Sequence, residues 1–185
     1  APAGFGKSCL VADWSRCLCH CSWLSLDEND AHTESFLRYF VAAIRHMSQG
    51  LGEEAWQLLQ QQGPVDAKAV ASSLLNELSY FDDPVTLILD DYHLCETPSL
   101  NDFLNQFIER LPPHIHLVII TRADPALALA KLRVQGELLE IRAADLRFSD
   151  QEAMQLFRLQ HGVMISEYEA MQVNQKTEGW VAGLQ

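Results

Sequence analysis

The stretch Ala1-Pro2-Ala3-Gly4-Phe5-Gly6-Lys7-Ser8 opens the chain and has the spacing of a phosphate-binding loop that leads into a helix. A loop of the type GxxxxGK[ST] points successive backbone N–H groups inward and adds the positive end of the following helix, so it solvates phosphate groups. Lys7 is expected to reach the β- and γ-phosphates, and the Ser8 hydroxyl to bind Mg²⁺. The alternative that these residues alone leave open is a glycine-rich turn before a surface helix.

The composition is that of an ordinary globular protein. With 185 residues, 48% of them hydrophobic and 21% charged, the chain is long enough for one α/β domain and part of a second. Thirteen Lys and Arg residues stand against 25 Asp and Glu, and this net charge of -12 argues against nucleic-acid binding by this segment. The apolar stretches are too short to span a membrane, and the phosphate loop occupies the place of a signal peptide. We therefore expect a cytoplasmic protein.

Five cysteines in a chain of this size suit a reducing compartment better than a disulfide framework. Three of them surround a histidine in Cys17-Leu18-Cys19-His20-Cys21. Zinc sites usually space paired ligands by two to four residues and need a second pair, for which only Cys9 and Cys95 remain. This favours a reduced, partly buried connector, with metal binding by Cys17, Cys19, His20 and Cys21 left as the alternative.

Charged residues follow two predicted buried strands at the point where each strand ends. Val85–Leu89 is a continuous aliphatic run followed by Asp90 and Asp91, and a second run, at 116–120, is followed by Thr121 and Arg122. Ligands of open α/β sheets lie beyond the carboxyl ends of the strands. Asp90 is thus predicted on the Mg²⁺ side, Asp91 to orient or deprotonate the attacking water, and Arg122 to sense the γ-phosphate. A turn for the acids and a surface salt bridge for Arg122 are the alternatives.

The remaining segments predict an alternation of helices and strands. Strands are expected at 22–26, 85–89, 116–120 and 137–142. Helices are expected at 7–15, 33–47, 53–62, 67–81, 98–111 and 127–134, and after the capping boxes that begin at Ser149 and Ser166. In the first helix Leu10, Val11 and Trp14 form an apolar face that is expected to pack on the sheet.

Six stretches, in this order, resemble the nucleotide-binding domain of the STAND-class ATPases, in the MalT-like branch of LuxR-family transcriptional regulators. They are Ala1–Ser8, Ser22–Asp30, Leu89–Leu94, Thr121–Pro125, Leu138–Phe148 and Thr177–Gln185. The resemblance implies an α/β fold, the three-layer α/β/α arrangement of P-loop NTPases, with a parallel sheet in the order 5-1-4-3-2. The four predicted strands would be its second to fifth, and the first strand is missing. Residues 1–148 would form the nucleotide-binding domain and 149–185 the start of a helical domain, so we expect a fragment of a larger regulator.

The resemblance also assigns roles to individual residues. The Walker A loop would contact the nucleotide through Gly4, Phe5, Gly6, Lys7, Ser8 and Cys9. The Walker B acid Asp90 would bind Mg²⁺ together with Ser8, Asp91 would be the catalytic acid, and Arg122 the phosphate sensor. The chain departs from the family pattern at Ala1, which replaces the first glycine of the loop, and at Cys9, where threonine is common.

The function implied by the resemblance is an AAA-like switch that binds ATP or ADP with Mg²⁺ and hydrolyses ATP slowly. The parent protein would exchange ADP for ATP and self-associate, while regions outside this chain bind the inducer and DNA. A non-hydrolysing nucleotide-binding or protein-interaction module is the main alternative. A small-molecule kinase is the other, although residues 33–80 are too sparsely basic for its arginine-rich lid.

Overall fold

The computed structural model describes residues 1–184, which form a parallel three-stranded sheet and eight α-helices. The strands are β1 (His20–Ser25), β2 (Val85–Asp90) and β3 (Ile115–Ile119). The helices are α1 (Lys7–Ser15), α2 (Thr33–Met47), α3 (Glu53–Gln60), α4 (Ala67–Ser79), α5 (Pro98–Glu109), α6 (Leu129–Gln135), α7 (Asp150–His161) and α8 (Glu167–Thr177). Gln185, the last residue of the family-like stretch, lies outside the described residues. None of the described helices has the length and apolarity that a membrane span needs.

The strands lie in the order β1-β2-β3, and both pairs are parallel. The central strand is β2. Its aliphatic run is typical of a strand buried on both faces, and all six of its residues are buried. Ser25 lies level with Asp90 across the first pair, and Leu89 with Ile119 across the second. The carboxyl ends of all three strands therefore share one edge, and their order matches strands two to four of the predicted sheet.

The main hydrophobic core is formed by α2 to α5 together with one face of the sheet. Leu87 and Leu89 of β2 belong to this core, and a cluster of phenylalanines joins α2 to α5. In that cluster the rings of Phe40 and Phe107 meet edge to face, with centroids 5.2 Å apart. Because side chains alternate along a strand, this packing turns Asp90 to the opposite face of the sheet from Leu89.

The predicted helix starts at Thr97, Ser149 and Ser166 are confirmed. The Thr97 hydroxyl accepts a hydrogen bond from the backbone N–H of Leu100, with Pro98 in the first turn. Both capping boxes form, at the beginning of α7 and of α8, and these two helices pack against each other. The division of the chain at residue 148 stays a prediction.

The expected last strand, 137–142, does not form, and that prediction was wrong. A strand needs a neighbour to receive its backbone hydrogen bonds, and in the described residues β3 pairs only with β2. The segment is held by side chains instead, since Glu140 accepts hydrogen bonds from Arg133 of α6 and from Arg142. Apolar residues are present in the segment, but among the described residues no strand pairs with it.

Helix α1 forms as predicted, but its apolar face is not buried. Leu10 is 47% exposed and Trp14 46% exposed, and no residue of α1 is classed as buried. The periodicity predicted the helix correctly, whereas the expected burial of its apolar face against the sheet was wrong.

Candidate phosphate-binding site

The loop before α1 has the backbone conformation that binds anions. Gly4 and Gly6 have φ angles of +79° and +73°, and α1 begins at Lys7 directly after them. Within the described residues, the backbone N–H groups from Gly4 to Cys9 have no hydrogen-bond acceptor. Phe5 is half-buried and Cys9 is exposed. The loop thus offers consecutive free donors at the positive end of a nine-residue helix.

Ser8 and Asp90 meet although 82 positions separate them in the sequence. The Ser8 hydroxyl donates to Oδ1 of Asp90 at 3.0 Å, and the backbone N–H of Asp91 donates to the same oxygen, also at 3.0 Å. Asp90 is only 8% exposed, so these two donors stabilise a carboxylate that burial would otherwise disfavour. The sheet causes the contact, because β2 ends beside the first turn of α1. A hydroxyl and a carboxylate oxygen are the hard ligands that Mg²⁺ prefers.

The ammonium group of Lys7 lies back on its own loop. Its Nζ donates to the carbonyl oxygens of Ala1 at 2.6 Å and Pro2 at 2.7 Å. Burial lowers the pKa of Lys7 below its ordinary value, the positive charge of Arg122 lowers it further, and the charges of Asp91 and Asp90 act in the opposite direction. The charges of all three predicted site residues at the ends of β2 and β3 therefore act on the ammonium group.

Asp91 and Arg122 follow β2 and β3 at the same edge of the sheet, and within residues 1–184 neither forms a hydrogen bond or ion pair with the loop residues. The backbone of Asp91 is left-handed, with φ +56°, a conformation that aspartate adopts more readily than most residues. Its side chain is 42% exposed and lies 3.8 Å from Nδ1 of His93, whose ring nitrogens have no hydrogen-bond partner within residues 1–184. Arg122 is exposed, and no described carboxylate lies within 4 Å of it. The surface salt bridge that was the alternative for Arg122 is thus not formed among residues 1–184, and its role as a phosphate sensor stays a prediction.

Two further residues at the loop were not predicted as part of the site. The indole Nε1–H of Trp180 donates to the carbonyl oxygen of Ala3 at 2.9 Å, and the backbone N–H of Ala182 donates to that of Gly4 at 3.1 Å. Trp180 and Ala3 are 177 positions apart, so no local spacing could indicate the contact. The only signal was the family-like stretch that contains Trp180.

The cysteine cluster shows no metal-binding geometry. Cys17 and Cys19 are exposed and Cys21 is half-buried. Among the described residues no group of three or more potential ligands is arranged to hold a metal ion. A cavity of about 310 Å³ lies beside the end of β1, lined by Ser25 and the acidic turn at 27–30.

The fold makes this an α/β protein with a parallel sheet, which is consistent with a P-loop-like arrangement. A glycine-containing loop and helix meet the carboxylate at the end of the strand β2. Over its full length, 184 aligned residues, the chain is 34% identical to the HTH-type transcriptional regulator MalT of Yersinia pestis (strain Pestoides F). The same identity is found with MalT of Yersinia pseudotuberculosis (serotype O:1b, strain IP 31758) and of Yersinia enterocolitica (serotype O:8 / biotype 1B).

The whole chain is thus similar to one part of MalT. The chain spans about a fifth of the length of these curated relatives, 20% in each case. No family model matches the chain.

Proposed function

We propose that this chain is the ATP-binding part of a MalT-like transcriptional regulator and acts there as a nucleotide-dependent switch. The observation that carries the proposal is the hydrogen bond between Ser8 and Asp90, which joins the start of α1 to the end of β2. A glycine-rich turn before a surface helix gives no reason for a buried carboxylate to meet the second residue of that helix. Binding of a nucleotide phosphate with a divalent cation does.

In this proposal the phosphates accept hydrogen bonds from the free N–H groups between Gly4 and Cys9. Lys7 moves from the carbonyl oxygens of Ala1 and Pro2 to the β- and γ-phosphates, where its charge is better neutralised. Ser8 and Asp90 would hold Mg²⁺, which neutralises phosphate charge when bound. The oxygen donors present at this position fit that ion.

Hydrolysis requires a water molecule opposite the bond between the γ-phosphorus and the ADP oxygen. Asp91, which is exposed beside Asp90, would orient this water and accept its proton as the new P–O bond forms and the ADP oxygen leaves. The exposed Arg122 would approach the γ-phosphate and report its loss. We expect slow turnover, because the role is to reset a state.

The switch would couple ADP–ATP exchange to self-association of the longer regulator in the cytoplasm. Inducer and DNA would be bound by regions outside this chain, which agrees with its net charge of -12. The alternative of a module that binds nucleotide without hydrolysing it differs only in the role of Asp91.

Calorimetric titration of Mg·ATP and of ADP into the wild type, Lys7→Ala and Lys68→Ala tests the proposal. Lys68 is an exposed lysine of α4 and serves as the matched control. Loss of the Lys7 charge should weaken binding at least about 30-fold, whereas Lys68→Ala should bind like the wild type. Equal affinity of Lys7→Ala and the wild type would refute the phosphate-loop assignment. A folded wild type that binds neither nucleotide would refute the proposal itself.

A further inference from the structure

The carboxyl-terminal helices reach the phosphate loop through one short segment, residues 178–184, which we call the brace. Two hydrogen bonds run from the brace to the loop. They are the bonds from Trp180 to Ala3 and from Ala182 to Gly4. Whatever positions α7 and α8 therefore acts on the loop at these two carbonyl groups.

The brace contacts the carbonyl side of the loop and leaves its donor side free. Both acceptors are backbone oxygens, whereas the N–H groups from Gly4 to Cys9 have no partner in the described part of the chain. A phosphate group needs these N–H groups and not the carbonyl oxygens. The brace and a nucleotide can consequently occupy the loop together, each holding one side of the same peptide units.

Gly4 is fitted to the brace as well as to the loop conformation. A Cβ atom on Gly4 would lie 2.6 Å from Nε1 of Trp180 and 2.7 Å from Cβ of Ala182. A Cβ atom on Gly6, whose φ angle is similar, would meet nothing within 4 Å. Glycine is therefore needed at position 4 for two reasons: the turn requires a positive φ angle, and the brace lies too close for a side chain.

The brace is itself fixed to the helix pair. The carbonyl oxygen of Gly179 accepts from the N–H of Phe148 at 3.0 Å, and Asn174 of α8 donates to the carbonyl oxygen of Phe148 at 2.8 Å. A Cβ atom on Gly183 would lie 2.9 Å from the indole ring of Trp180, so the brace is closely folded on itself. Leu184 at its end is only 2% exposed. Moving α8 thus means moving Trp180.

We propose that the brace couples nucleotide binding to the position of α7 and α8, with Trp180 as the positioning residue for the phosphate loop. The inference rests on the proposed nucleotide-binding function of the loop. When the brace is docked, the peptide units around Gly4 are held in the phosphate-binding conformation, so less ordering is needed on binding. By linkage, a bound nucleotide stabilises the docked brace by the same factor.

Two measurements on the complete 185-residue chain test this inference. The first is the affinity for ADP of Trp180→Phe, which keeps an aromatic ring but removes the N–H donor to Ala3. It should bind about fivefold more weakly than the wild type, the effect of one hydrogen bond. The matched control is Trp23→Phe, which removes an indole donor whose acceptor is the Ser25 side chain and should leave affinity unchanged.

The second measurement is hydrogen exchange of the Ala182 amide in the wild type with and without saturating ADP. Nucleotide should slow this exchange at least about fivefold, because the amide is protected only while the brace is docked. If the brace undocks locally and independently of the nucleotide, exchange at Ala182 would show no response to ADP.

The outcomes separate this inference from the function on which it rests. Weaker binding by Trp180→Phe together with slower exchange at Ala182 supports the coupling. If the wild type binds ADP but either the affinity of Trp180→Phe or the exchange at Ala182 stays unchanged, the coupling is refuted and the nucleotide-binding function stands. If the wild type binds no nucleotide, the function is refuted and the coupling with it.

Discussion

Replacing Gly4 by alanine should destabilise the protein by about 3 kcal/mol, whereas the same change at Gly6 should cost only about 1 kcal/mol. Both glycines have left-handed φ angles, +79° and +73°, so alanine loses about 1 kcal/mol of backbone stability at either position. At Gly4 the new methyl group also collides with Trp180 and Ala182. Relief of the collision requires the brace to undock, which breaks two hydrogen bonds worth about 1 kcal/mol each.

Urea unfolding of the wild type, Gly4→Ala and Gly6→Ala, monitored by circular dichroism, measures this difference directly. The comparison contains its own control, because the two variants share the backbone penalty and differ only in the contact with the brace. It needs no nucleotide, so it holds whether or not the proposed function is correct. Equal losses of stability in the two variants would refute the reasoning and show that the brace does not hold the loop.

Two further perturbations address Asp91, the proposed catalytic residue, and the charged network beside α6. Asp91→Asn should keep nucleotide affinity, since asparagine also tolerates the left-handed backbone. The rate of ATP hydrolysis, measured as phosphate release, should fall about 100-fold or more. Undiminished turnover would place the general base elsewhere. Hydrogen bonds from Arg133 and then Arg142 lower the pKa of Glu140 to about 2 from its ordinary value of 4.5. Because the folded-state pKa is depressed, this stabilisation is complete above about pH 4.5 and is lost as the pH falls toward 2. The unfolding midpoints of the wild type and Glu140→Gln should therefore differ at pH 6 and converge near pH 2, and a constant difference across that range would contradict the assignment.

Much of the fold could be predicted because the signals that specify it are local. The aliphatic run Val85–Leu89 predicted a strand buried on both faces, and all residues of β2 are buried. Ser149 and Ser166 predicted two helix starts from a spacing of three residues to Glu152 and Glu169, and both capping boxes form. Such signals depend on neighbours in the chain, so the rest of the molecule need not be known.

The expectations that were wrong concern partners and not local conformation. The segment 137–142 contains three apolar residues and was expected to be a strand. A strand exists only where another receives its hydrogen bonds, and none pairs with this segment in the described residues. Leu10 and Trp14 predicted the helix α1 but not whether anything covers its apolar face. The periodicity of the sequence predicts which face of a helix is apolar, but only the tertiary structure shows what packs against that face.

The sequence by itself determined the chemistry available to this protein: a loop of the phosphate-binding type with Lys7 and Ser8, and a strand that ends in Asp90 and Asp91. It also indicated that these would face each other, because parallel strands direct their carboxyl ends to one edge. Only the tertiary structure decided that Trp180 contacts the back of the loop. The two residues are 177 positions apart and belong to no common strand or helix. Their contact follows from how the helix pair packs, so no periodic pattern in the sequence could predict it.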